Sequence, residues 1–279
     1  VVLPGQEVVV MPLSSELLPD SIGRPAGVIG ADILSRFVTE IDYRNGSVSF
    51  RDPGQFVYQG AGAELPFFPV GYLHGAFLRV DGVHEGAFGL DLGVLGTRLN
   101  ASFVADHEIA PAEGRGVVDS SGTLLRMKRL EIGPYGWNDP LVHLGRDRPN
   151  ELWRRDYAGD IGNAVLSRFR VTLDYRHRRL YLEPDSSNAT RDAYSPLGAD
   201  FVRQEERLTL RTLVRGSTAE RFGIRDGDEV TAINGKPAAQ WSAEDITRLL
   251  DESEVRRLRL DIKRDGRGMT IEAALGNRP

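Results

Sequence analysis

Side chains able to do chemistry are unevenly supplied in this chain of 279 residues. There is no cysteine, which removes thiol nucleophiles, disulfides and thiolate zinc sites together. The five histidines are scattered and form no His-x-x-x-His pair, so no metal site and no cofactor are expected. Carboxylates remain, 40 of them against 35 Lys and Arg. They do hydrolytic acid–base chemistry best in pairs, one ionised to activate a water and one protonated to polarise a carbonyl. Asp91, followed by Leu92 and Gly93, ends a strand-like run in an Asp-x-Gly turn, an arrangement that is structural in most folds. Asp42 and Asp174 each follow a strand and read as turn acids, and Asp32 opens a short apolar segment.

An internal repeat organises these residues. Ile29-Gly30-Ala31-Asp32-Ile33-Leu34-Ser35-Arg36-Phe37 and the residues on to Arg44 realign 132 residues later with Ile161 to Arg176, nine of sixteen positions being identical without a gap. In each copy a Gly opens a short helix whose apolar face is Ile or Val, Leu and Phe at helical spacing. A strand follows, Val38 to Asp42 or Val171 to Asp174. The first copy then has Tyr43-Arg44-Asn45-Gly46, where Asn-Gly predicts a type I′ turn. Return strands span Ser47 to Phe50 and Arg179 to Leu182. Asp32 has no counterpart in the second copy, where Ala164 stands.

Between the copies the pattern is β. Phe77 to Val80 and Gly86 to Leu90 join across Asp81-Gly82, and Gly116 to Asp119 and Thr123 to Leu130 form a hairpin across Ser120-Ser121-Gly122. Trp137, Trp153 and the Phe67-Phe68 pair are expected in the core or at an interface between lobes. Pro184 to Thr190 is polar and turn-rich and reads as a linker. Beyond it, Leu208 to Val214 is a strand, Gly216 to Ile224 a short helix closed by Gly, and Glu229 to Ile233 a strand before an Asn234-Gly235 turn. Ser242 caps a helix to about Leu250 with Asp245 at the capping-box distance, and strands Arg257 to Lys263 and Met269 to Ala274 pair across Arg264-Asp265-Gly266.

Composition bounds the partners. Hydrophobic residues make 41% and charged residues 27%, which is ordinary globular material, and the net charge of −5 argues against nucleic acid. No apolar run approaches the roughly 18 residues of a membrane span. The chain opens at Val1 with neither an initiator Met nor a basic-then-apolar leader, and is expected to be a product of processing, cloning or cleavage.

Two resemblances add to this reading. Gly216-Ser217-Thr218-Ala219, Gly223-Ile224-Arg225-Asp226-Gly227-Asp228 and Ile233-Asn234-Gly235-Lys236 resemble, in order and spacing, a bacterial PDZ domain of the protease-associated kind. The resemblance implies that an extended peptide adds as a strand between Phe201-Val202-Arg203 and the helix from Ser242. Leu197, Gly198, Ala199, Asp200 and Phe201 would then form the loop that holds its carboxylate. The repeated part resembles the retropepsin-like and pepsin-like aspartic peptidases. Val28-Ile29-Gly30 and Asp160-Ile161-Gly162 match the apolar-apolar-Gly segment that supports the active-site loop, with Gly30 and Gly162 as the supporting glycines. Asp160 departs from the apolar pattern. Ala87 to Val94 matches the strand followed by Asp-Thr-Gly-Ala, which implies that Asp91 is a catalytic carboxylate and Leu92-Gly93 its loop. The segment Gly114 to Leu125 matches the place of the flap over bound peptide, although a plain surface hairpin would read the same.

The expected fold is mostly β: aspartic-peptidase-like β-barrel lobes followed by an α+β PDZ domain. Residues 1–58 would be the C-terminal part of a first lobe, 59–188 a second lobe and 189–279 the PDZ domain. Leu92 lacks the hydroxyl that the family bonds across to the other lobe, and Gly162 lies 71 residues after Asp91. The same spacing before Gly30 puts the partner aspartate about forty residues ahead of Val1. The resemblance therefore implies an aspartic endopeptidase that is inactive as this chain, with peptide or unfolded protein as partner. The alternative is a peptide-binding relative that has lost its dyad, and a third is pairing of second lobes from two copies. The oligomeric state is left open by the sequence. Location in the bacterial cell envelope or periplasm follows from the resemblance alone.

Overall fold

The computed structural model describes residues 27–71, 73–94, 96–109, 116–119, 122–145, 158–185, 197–204, 206–211, 217–251 and 257–275. The first part of the chain runs α1 (Ala31–Leu34), β1 (Val38–Asp42), β2 (Ser47–Arg51), β3 (Ala63–Pro66), β4 (Phe68–Val70), β5 (Leu73–Val80), β6 (His84–Leu90), β7 (Thr97–Leu99) and α2 (Ala101–Asp106). It continues through β8 (Gly116–Asp119), β9 (Gly122–Arg126), β10 (Arg129–Ile132), β11 (Tyr135–Asn138), β12 (Leu141–Leu144), β13 (Gly159–Ile161), α3 (Asn163–Leu166), β14 (Phe169–Asp174) and β15 (Arg179–Pro184). The last part holds β16 (Asp200–Gln204), β17 (Arg207–Arg211), α4 (Thr218–Arg221), β18 (Glu229–Ile233), β19 (Lys236–Pro237), α5 (Ala243–Asp251), β20 (Arg257–Arg264) and β21 (Arg267–Ala274). The fold is mostly β, as expected.

Three sheets carry the described residues. The two repeats meet in a five-stranded sheet ordered β2-β1-β14-β15-β3. Its central pair is antiparallel, with Val38 opposite Asp174, Glu40 opposite Thr172 and Asp42 opposite Arg170. Because Glu40 and Thr172 are equivalent positions of the repeat, a local twofold axis passes between them. A ten-stranded sheet runs β11-β10-β5-β6-β13-β7-β12-β9-β8, with β4 beside β5. Its inward side chains, among them Leu78, Phe88, Leu99, Val142 and Ile161, join Val165, Leu166, Phe169 and Leu180 in one core. The third sheet, β16-β17-β18-β20-β21 with β19 on β18, has its own core of Leu197, Leu210, Ile233, Ile246, Leu258 and Leu260 among others. No helix of the described residues is long and apolar enough to cross a membrane.

Equivalent residues of the two repeats meet different surroundings. Ile161 and Leu182 are 0% exposed, whereas their counterparts Ile29 and Phe50 are 61% and 46% exposed. Helix α3 buries Val165 and Leu166, whereas α1 buries no residue. In both copies the Arg of Leu-Ser-Arg-Phe turns back on its helix, Arg36 Nε donating to the Asp32 carbonyl at 3.2 Å and Arg168 Nε to that of Ala164 at 3.0 Å.

The structure changes some expectations. The Asn45-Gly46 turn is not type I′, since Gly46 alone of the four loop residues has positive φ, at 60°. Asp42 decides the geometry: its Oδ1 accepts the Asn45 N–H at 3.0 Å, which closes a four-residue loop between β1 and β2. Asp174 does the same for the His177 N–H at 3.0 Å, with Arg178 at φ 57° in place of the glycine. Both acids are turn acids, as read. The strand expected over Thr123 to Leu130 is two strands, because β9 pairs with β12 while β10 leaves to lie between β11 and β5. Asn234-Gly235 and Asp265-Gly266 do place both residues at positive φ, as type I′ hairpins require. Phe67 and Trp137 are buried in the core. Trp153, most of the Pro184 to Thr190 linker, the end of the Leu208 to Val214 strand and the tip of the Gly114 to Leu125 segment lie outside the described residues.

Candidate functional site

The turn bearing Asp91 is built by threading one strand between two others. β13 runs parallel to β6 on one side and antiparallel to β7 on the other. A Cβ on Gly159 would sit 1.9 Å from the Arg98 carbonyl oxygen, so only glycine lets β13 close in on β7. Asp91 then leaves the end of β6 with its N–H donated to the Ile161 carbonyl at 3.0 Å. Its Oδ1 accepts the Gly93 N–H at 2.9 Å, an Asx turn that folds the loop back on itself. Gly162 follows in extended backbone and begins α3, its carbonyl accepting the Val165 and Leu166 N–H groups at 3.1 Å. Gly30 has nearly the same backbone at the start of α1, φ −94° and ψ −176° against −97° and −172°.

Asn163 ties the turn down. Its backbone N–H donates to the Val94 carbonyl at 2.9 Å and its Nδ2 to the Leu92 carbonyl at 3.0 Å. Its Oδ1 accepts the hydroxyl of Tyr43 at 2.7 Å, from the first repeat. Tyr43 is half-buried, and that burial pushes its phenol up to about 12. Leu92, where the resembled family has a hydroxyl, turns its side chain against the core instead. Among the described residues, no second carboxylate shares a hydrogen bond with Asp91. Asp160 is buried and forms an ion pair with Arg98 across β13 and β7, which accounts for an acid at a position where its counterpart is Val28. Sequence reading missed Asn163 and Tyr43. The available signal was that Asn163 replaces Ala31 between otherwise similar copies.

The second candidate site is the edge of β16 away from β17, which among the described residues is its one partner strand. The Leu197 carbonyl accepts the Ala219 N–H of α4 at 2.7 Å, and Gly198 takes φ 73° against the side chain of Ser217. Leu197 and Ala199 are buried, Asp200 opens β16, and Phe201, like Trp241 and Leu249, packs partly buried against the core. Arg203 Nη2 donates to the Ala238 and Trp241 carbonyls at 2.7 and 3.0 Å, linking β16 to the segment that enters α5. Ser242 and Asp245 form the expected capping box, the Ser242 hydroxyl accepting the Asp245 N–H. The Ser242 hydroxyl and backbone N–H both donate to the Asp245 carboxyl and hold it below its ordinary range.

Residues 210–264 match a family model described as a PDZ domain. The C-terminal unit contains a PDZ domain. Over 69 residues, 25% of this chain and 14% of that protein, the chain is 36% identical to a putative zinc metalloprotease of Ralstonia nicotianae. It is 20% identical over 130 residues to a probable CtpA-like serine protease of Staphylococcus haemolyticus, covering 46% of this chain and 26% of that protein. The chain thus spans between about a seventh and a quarter of the curated relatives it matches. Among solved structures, a retropepsin-like aspartic protease from Rickettsia conorii aligns at TM-score 0.30 and 15% identity, over 45% of this chain and 96% of that one. The PDZ domain of EpsC from Vibrio cholerae aligns at TM-score 0.22 and 19% identity, over 27% of this chain and 74% of that one. At these scores the likenesses add nothing to the strand pairing described above.

Proposed function

We propose that this chain is part of an aspartic endopeptidase-type protein of the bacterial cell envelope, in which Asp91 is the second-lobe carboxylate and the PDZ domain holds peptide or unfolded protein. The observation that carries the reading is the Asp91 turn seated on Ile161-Gly162-Asn163, with Ile29-Gly30-Ala31 repeated about a local twofold axis. Under that axis a second Asp-bearing turn would rest on Gly30, and the exposed Ile29 is the residue it would cover, as the Asp91 turn covers Ile161. Residues 1–58, 59–188 and 189–279 are then first-lobe remainder, second lobe and PDZ unit. A peptide would pair with β16, its carboxylate held at Leu197 to Phe201.

A lone carboxylate cannot serve as acid and base in one step, so this chain by itself should cleave nothing. The test is cleavage of unfolded casein at acidic pH, with and without pepstatin, by this chain and by the protein extended upstream through an Asp-Thr/Ser-Gly turn. Pepstatin-sensitive cleavage by the extended protein alone, lost in its Asp91→Asn variant, is the expected result. Cleavage by neither, with peptides still bound, would instead support a non-catalytic peptide-binding protein. The turning of Leu92 into the core is the observation that favours that second reading.

A further inference from the structure

We propose that Tyr43 and Asn163 are positioning residues: a clamp reaching from the first repeat sets the conformation of the Asp91-Leu92-Gly93 turn in the second. The inference rests on Asp91 being the functional carboxylate, but its geometry stands independently. Asn163 has three polar groups directed at this task, its backbone N–H on Val94, its Nδ2 on Leu92 and its Oδ1 on Tyr43. Two of these contacts fall on the carbonyls flanking Gly93, whose N–H in turn binds the Asp91 carboxylate. The amide cannot flip without losing the Leu92 carbonyl, which only accepts, whereas the Tyr43 hydroxyl can meet either end. The Leu92 carbonyl therefore fixes which way the amide faces, and Tyr43 holds its other end from the first repeat.

The local twofold axis supplies a control within the same molecule. The mate of Tyr43 is Tyr175, and the mate of Asn163 is Ala31, which has no polar side chain to offer. Tyr175 packs instead on Phe67 and His74, with ring centroids 5.0 and 4.9 Å away. The clamp is thus one-sided: it acts on the turn that carries Asp91 and has no equivalent at Gly30. It also does by a different route what a hydroxyl at position 92 would do, fastening the acid-bearing turn to the opposite repeat.

The test uses the whole chain and reads the turn by NMR, through amide exchange at Gly93 and the carboxyl carbon resonance of Asp91. Tyr43→Phe removes one oxygen, and Asn163→Asp keeps the acceptor for Tyr43 while losing the donor to Leu92. Both variants should speed Gly93 exchange by about tenfold, the scale of one lost hydrogen bond, and move the Asp91 carboxyl signal. Tyr175→Phe should change neither. Equal effects from Tyr175→Phe, or no effect from Tyr43→Phe in a folded protein, would overturn the proposal. So would failure of both clamp variants to fold, which would make the pair structural. Because no readout depends on peptide cleavage, a negative casein assay leaves this result standing, and the reverse holds as well.

Discussion

Asp42 illustrates how one side chain carries several duties. Its carboxyl is held at about 2 by the side-chain and backbone N–H groups of Asn45 and by Arg170 Nη2, which lies 2.8 Å away. Since its folded pKa lies below the ordinary value of 3.8, its contribution to stability is complete above that value and is lost as pH falls toward 2. The melting temperature of an Asp42→Ala variant should therefore lie below that of the parent by a constant amount near neutrality. The gap should close on acidification through the window from about 4 to about 2. A gap that persisted unchanged to pH 2 would mean that the acceptor's shape, not its charge, holds the β1–β2 turn. Asn163 and Tyr43 show why side chains of this kind escape sequence reading. Their partners are set by which strand is threaded between which, and neither residue type signals a bond to a residue 71 positions away, as for Asn163 and Leu92, or 120, as for Tyr43 and Asn163.

At the scale of elements, the repeat allows the same motif to be assayed in two settings. Leu166 in α3 is fully enclosed, whereas its counterpart Leu34 in α1 is only half-buried. Truncating Leu166 to Ala should cost about 3 kcal/mol, and Leu34→Ala less than about 1.5 kcal/mol, in urea denaturation of the whole chain. Equal costs would show that α1 is covered in solution. Element existence was readily legible, because Gly-opened helices, alternating strands and Asn-Gly or Asp-Gly turns are local signals that the repeat states twice. What escaped was the competition among neighbours. The turn after β1 followed an aspartate side chain and not its Asn-Gly dipeptide, and the run through Met127 broke because β9 and β10 answer to different partner strands. The PDZ motifs were legible for a related reason: Ser217 at the start of α4, Gly223 at its end and the Ser242–Asp245 box each act within a few residues.

At the scale of the molecule, the two hydrophobic clusters formed by the described residues share no residue. Heating should therefore give two resolved transitions. Asp228 offers a selective probe, since its enclosed carboxylate binds Arg264 Nε and Nη2 at 2.7 Å each and the Arg225 N–H at 2.8 Å. Asp228→Ala should destabilise the PDZ transition by about 3 kcal/mol while leaving the other in place, measured by calorimetry. Displacement of both transitions together would mean that the clusters unfold as one. The strand register at the twofold axis carries a consequence for descent. A progenitor made of two identical chains would have set each central residue against its own copy, so a glutamate there would have faced a glutamate, a repulsive pairing in adjacent strands. Glu40 opposite Thr172 is a pairing open once the two halves differ in sequence, as in a single chain where each half is free to mutate without dragging the other along.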